Sequence, residues 1–189
     1  DGALDWGSWI EGFAPWSGEL RANPGTIIYT SGTTGNPKGV RRAPPTQEQA
    51  DASLRGLLAV FGLTTRPPDK IVSVMVGPMY HSAPNAYGMV CARIGTTLYL
   101  QARFEPEDLL RMIEQHRITH IHMVPIMFNR LLKLPEDVKR KYDLSSLEFV
   151  VHAAAPCPAP VKRAMIEWWG PVINEYYGST EVGGVVFCT

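Results

Sequence analysis

The chain has 189 residues, 45% of them apolar and 19% charged, so it can bury a core of ordinary domain size. Eighteen Lys and Arg balance eighteen Asp and Glu, which excludes the basic excess of a nucleic-acid module but leaves room for a local phosphate site. Cys91, Cys157 and Cys188 form no CxxC pair, so neither a zinc knuckle nor a disulfide framework is expected, and a reducing, cytoplasmic setting is the plain reading. No apolar run approaches the ~20 residues of a membrane span, and the first residues do not read as a signal peptide.

Residues 1–25 are rich in Trp, Gly and Pro, and Trp6, Trp9, Ile10 and Phe13 fall at helical spacing, predicting a short amphipathic helix. Residues 26–189 alternate short apolar runs with helical patterns. The predicted strands are Thr26–Thr30, Ile71–Val76, Thr96–Leu100, Thr119–Val124, Leu147–His152 and Val172–Tyr177, each short and mostly apolar on both parities, as buried parallel strands are. Thr46 and Gln49 form a capping-box pattern ahead of Leu54, Leu57, Leu58 and Phe61. Pro106, Glu107 and Asp108 open a second helix, Leu109, Leu110 and Ile113 give it a buried stripe, and His116 and Arg117 close it. Pro158 opens a third, with Val161, Ala164, Met165 and Trp168 facing inward and Gly170 and Pro171 stopping it. This alternation predicts an α/β fold, a mostly parallel sheet with helices on both faces. Arg66–Asp69 and Leu134–Asp137 read as surface turns.

The run from Thr30 to Gly39 reads Thr-Ser-Gly-Thr-Thr-Gly-Asn-Pro-Lys-Gly. Its glycines permit close approach of backbone to a ligand. The hydroxyls of Thr30, Ser31, Thr33 and Thr34, several free N–H groups and the Lys38 cation supply what a polyphosphate needs. It is not a Walker A loop: Lys38 stands between Pro37 and Gly39, and no Ser or Thr follows to hold magnesium. Without a ligand, the same run would be a polar β-to-α turn.

In its order of residues this loop resembles the signature of the adenylate-forming superfamily, the acyl-CoA synthetases, aryl-CoA ligases, luciferases and peptide-synthetase adenylation domains. Three further segments resemble family motifs in the right order. Gly77–Pro84 carries an aromatic–His pair, Tyr80 and His81, and the resemblance makes His81 a gate at the mouth of the acyl pocket. Val151–Pro156 stands for the small-residue run that lines the adenine and acyl sites, which implicates Ala154, Ala155 and Pro156. It departs from the family in having His152 and Ala153 for the usual Ser/Thr–Gly pair, so Ala153 is expected to narrow the pocket by a methyl. Asn174–Glu181 resembles the Tyr-Gly-x-Thr-Glu motif, which implies that Tyr177 stacks on adenine with Gly178 beside it, that Thr180 contacts the α-phosphate and that Glu181 binds magnesium.

The resemblance thus implies ATP, Mg²⁺ and coenzyme A as cofactor and co-substrates, and a small-molecule carboxylic acid as substrate. Thr30, Ser31, Gly32, Thr33, Thr34, Gly35 and Lys38 form the nucleotide loop, and Lys38, His81, Thr180 and Glu181 form the catalytic set. Tyr80, His81, Ala83, Met89 and Ala153 favour an apolar acid, and Pro78–Gly88 contains no acidic residue to hold a substrate's amino group. A peptide-synthetase adenylation domain, a luciferase-like oxygenase and a non-catalytic nucleotide-binding relative are the alternatives. The chain is expected to be a piece of the large N-terminal domain: it starts at Asp1 without methionine and stops after the apolar run Val185–Phe187. Such a piece would bind ATP weakly without turnover, and the cut would expose apolar surface. His120 and His122 share a strand face, but no third ligand is near in sequence, so packed or hydrogen-bonded imidazoles are expected rather than a metal site.

Overall fold

A computed structural model describes residues 5–15, 17–19, 27–30, 35–41, 43–179 and 183–188. A short helix α1 (Trp6–Ile10) is capped by Asp5, whose carboxylate accepts from the Ser8 backbone N–H at 2.9 Å. Strands β1 (Ile27–Thr30) and β2 (Lys38–Arg41) pair antiparallel as a ribbon of their own, with Thr30 opposite Lys38. Here the sequence expectation is corrected. The apolar run before the loop is not a buried parallel strand, since Ile27 is 52% and Tyr29 73% exposed, and the loop joins two strands rather than strand to helix.

The long helix α2 (Gln47–Val60) starts where the capping box predicts. The Thr46 hydroxyl accepts from the Gln49 N–H at 3.2 Å, and the Gln49 amide oxygen accepts from the Thr46 N–H at 2.9 Å. Beyond it, β3 (Val72–Met75), α3 (Ser82–Ile94), β4 (Thr97–Leu100), α4 (Pro106–His116), β5 (His120–Met123), α5 (Pro125–Leu132), α6 (Glu136–Lys139), β6 (Phe149–His152), α7 (Ala159–Trp169), β7 (Ile173–Ser179) and β8 (Gly183–Cys188) follow in turn. Pro68–Lys70, expected to be a plain turn, forms one turn of 3₁₀ helix.

Six strands form one sheet in the order β4-β3-β5-β6-β7-β8, parallel except for β8, which runs antiparallel to β7. Side-chain alternation divides the strands between two cores. On one face Val74, Ile121, Met123 and Val150 pack with Leu109, Leu110 and Ile113 of α4, Phe128 of α5 and Met165 and Trp169 of α7. On the other, Met75 and Val151 pack with Phe61 and with Tyr87 and Cys91 of α3. Trp169 is the more buried of the α7 tryptophans, and Trp168 only flanks the core.

The chain passes from β3 outward to β4, then crosses back past β3 to β5. The carboxyl ends of β3 and β5 therefore flank the point where the winding reverses, the place where open α/β sheets leave a crevice for ligands.

Candidate active-site edge

Because β3, β5, β6 and β7 run parallel, the segments that follow them emerge on one edge of the sheet. After β3 the chain turns through Gly77–Tyr80 into His81, which precedes α3 with its backbone extended. The His81 N–H donates to the Pro78 carbonyl at 3.1 Å and its carbonyl accepts from Asn85 at 3.0 Å, so backbone bonds fix the position while the ring stays exposed, 4.6 Å from the Tyr80 ring. Gly88 makes room for this loop: a Cβ there would press on the Met75 and Met79 side chains.

Ala154, Ala155 and Pro156 form an exposed turn directly after β6, above the buried Ala153. Tyr177 and Gly178 lie within β7 rather than beyond it, and the Tyr177 ring is 70% exposed. Neighbouring residues hold this strand from both faces. Tyr176 points into the α2–α3 side, where its hydroxyl lies 3.0 Å from His122 Nε2. Glu175 points to the opposite side and accepts from Lys162 of α7 at 2.9 Å. The exposed Tyr177 ring is thus mounted on backbone pinned at the two preceding residues. Glu175 and Tyr176 lie in the segment Asn174–Glu181 just ahead of its Tyr-Gly-x-Thr-Glu part, where strand alternation hints at their opposite faces, and Lys162 of α7 carries no sequence signal.

The sheet edge therefore gathers His81, Ala154–Pro156 and Tyr177–Gly178, which are far apart in sequence. Lys38 opens β2 of the separate β1–β2 ribbon and is exposed, and Gly35 lies three residues before it, outside both strands. Ser31, Gly32, Thr33, Thr34, Thr180 and Glu181 fall outside the described residues, and of Thr30 only the backbone pairing is described.

His120 and His122 behave as hydrogen-bonded residues. His120 Nε2 faces the Gly62 carbonyl at 3.0 Å and Nδ1 lies 2.8 Å from the Thr119 hydroxyl. Burial lowers both imidazoles to about 4, opposed in His120 by the Gly62 carbonyl and reinforced in His122 by nearby His152. Among the described residues no three His, Cys, Asp or Glu side chains could hold a metal ion. A shallow cleft of about 320 Å³ between α5, α6 and α7, lined by Leu132, Glu136, Lys139 and Trp168 among others, contains none of the predicted site residues. No described helix is long and apolar enough to cross a membrane.

The AMP-binding enzyme family matches residues 17–189. The chain belongs to this family. It is 33% identical over 161 residues to a probable CoA ligase, CCL5, of Humulus lupulus, covering 85% of this chain and 28% of that protein. It is 35% identical over 162 residues to the medium/long-chain-fatty-acid–CoA ligase FadD8 of Mycobacterium tuberculosis, covering 85% of this chain and 26% of that one. Among solved structures, the amide bond synthetase McbA of Marinactinospora thermotolerans superposes with a TM-score of 0.76 at 27% identity, covering 98% of this chain and 36% of that one. The chain thus spans 26–36% of the length of these relatives. The α/β architecture expected from the sequence is the one found.

Proposed function

We infer that this chain is the nucleotide- and acid-binding portion of an acyl-CoA synthetase that activates an apolar carboxylic acid. The observation that carries the reading is the sheet edge itself: three segments that resemble family motifs, separated by up to about a hundred residues, stand at the carboxyl ends of β3, β6 and β7 on one edge of the sheet, and the first of them flanks the winding reversal where α/β sheets bind ligands. In the first step a carboxylate oxygen of the acid attacks the α-phosphorus of ATP, a new acyl-phosphate bond forms, and pyrophosphate leaves. In the second, the thiol of coenzyme A attacks the acyl carbon, loses its proton to solvent and displaces AMP.

The acid itself is the nucleophile, so the protein's work is positioning and charge neutralisation. The loop from Thr30 to Gly35 and the cation of Lys38 would hold the phosphates, the Tyr177 ring the adenine, and the turn Ala154–Pro156 the junction of adenine and acyl group. His81 would gate the acyl pocket, and Thr180 would contact the α-phosphate. Glu181 offers a hard carboxylate oxygen of the kind magnesium prefers, with phosphate oxygens to complete the shell. The exposed Met79 and Tyr80 beside His81 favour an apolar acid over an amino acid.

An ATP–pyrophosphate exchange panel on the full-length protein tests this. Exchange with fatty or aromatic acids, followed by thioester formation with coenzyme A, is expected. Exchange confined to amino acids would replace the reading with a peptide-synthetase one, and ATP binding without exchange would replace it with a non-catalytic one. The likeness to an amide bond synthetase supports a second reading, in which an amine takes the acyl group. Supplying amines in place of the thiol separates the two. Replacing Tyr177 by Ala should raise the KM for ATP about tenfold, the usual worth of one base–aromatic stack, while Tyr177→Phe keeps most of the affinity. Equal losses in both variants would mean that the hydroxyl, not the ring face, is what matters.

A further inference from the structure

The turn after β6 carries backbone strain that its own side chains do not explain. Ala154 has φ +72°, left-handed backbone that is unfavourable for any residue with a Cβ. Ala154 is exposed, so packing of its own methyl does not hold it there. Such conformations persist only where the surroundings over-determine them. On the far side of the turn, Pro156 and Pro158 restrict the backbone before α7. On the near side stands His152, the last residue of β6, in register with Met123 of β5 and Glu175 of β7.

The His152 imidazole is fully buried and meets the Phe128 ring edge-on at 5.1 Å. Its Nε2 lies 3.8 Å from Glu175 Oε2, the oxygen that Lys162 holds at 2.9 Å. Neither ring nitrogen has a hydrogen-bond partner. A buried imidazole without hydrogen bonds contributes by filling space, and leaving its nitrogens unpaired costs stability. Such a side chain beside a strained turn calls for an explanation in terms of what it holds.

We propose that His152 is a positioning residue: wedged between Phe128 and the Glu175–Lys162 pair, it directs the chain into the turn, holds Ala154 left-handed and so shapes the wall against which the acid binds. This deepens the acyl-CoA synthetase reading and rests on it. In the full-length protein His152→Ala should raise the KM for the acid about tenfold, and the KM for ATP with it to a smaller degree because the turn also borders the adenine, while kcat moves by less than about twofold because the phosphate contacts stay in place. His152→Phe, which refills the space, should recover most of that loss. The loss should also shrink to below about threefold in an Ala154→Gly background, where glycine holds the left-handed backbone without help.

A crystal structure of the His152→Ala protein should show Ala154 out of the left-handed region. The proposal is overturned if Ala154 stays left-handed there, if the acid KM of an active enzyme is unchanged, or if Gly at 154 leaves the loss undiminished. If the wild-type protein forms no acyl-adenylate yet Ala154 leaves the left-handed region in the variant, His152 keeps its positioning role and the functional reading fails instead.

Discussion

Unfolding free energy should fall by roughly 5 kcal/mol between pH 7 and pH 4.5 through His120 and His122. Both are held neutral to about 4 by burial, against an ordinary imidazole value of 6.5. Between those limits the unfolded chain binds a proton at each site and the folded chain does not. Stability therefore rises with pH through this window and is lost as pH falls from 6.5 towards 4. The direction is opposite to that of a histidine raised by a carboxylate partner. Carboxylates add their share only lower down: Asp143, held near 2 by its bonds to Ser145 and Arg117, titrates below the histidine window. Guanidinium unfolding of the protein at pH 7, 6, 5 and 4.5 measures the slope. His122→Gln, which keeps an acceptor for the Tyr176 hydroxyl but cannot titrate, should remove about half of it. A slope that is flat above pH 5, or unchanged in that variant, would mean that the imidazoles charge without unfolding the protein.

What the sequence made legible depends on how local the cause is. The start of α2 was readable because the two hydrogen bonds of its cap join residues three apart, Thr46 and Gln49. The stripe Leu109, Leu110 and Ile113 was readable because a helix repeats its buried face every turn. Helix α3 gave no such signal: its first turn holds Pro84 and Asn85, its middle Gly88, and no side chain caps it. Strand β8 showed only as the apolar run Val185–Phe187, since nothing local says that it will pair antiparallel with β7. The ribbon β1–β2 was misread because Ile27, Ile28 and Tyr29 carry the apolarity of a buried strand, although partner and exposure are settled elsewhere. The site divides in the same way. Tyr177 and His81 stand in contiguous motifs, whereas the supports beneath them, Tyr176 on His122 and Glu175 on Lys162, join residues that only the crossovers bring together.

Gly62→Ala should destabilise the protein by about 2–4 kcal/mol, the sum of a left-handed backbone and an overpacked contact. Gly62 closes the turn after α2 with φ +71°, and a Cβ there would overlap the Phe149 ring. That ring is half-buried and flanked on both faces. It is stacked between His120, at 6.0 Å and 15°, and Phe187 of β8, at 6.2 Å and 16°. Displacing it would also disturb the Gly62 carbonyl, which accepts from the Thr65 hydroxyl at 2.9 Å and faces His120 Nε2. Gly95 is the control: it has φ +81° at the end of α3, but an added Cβ would meet nothing within 4 Å. Gly95→Ala should therefore cost only the backbone part, about 1 kcal/mol. Denaturant midpoints of the two variants, measured with the wild-type protein, separate strain from collision. Equal losses would mean that the Phe149 stack yields freely, and that β8 is not held to the sheet through it.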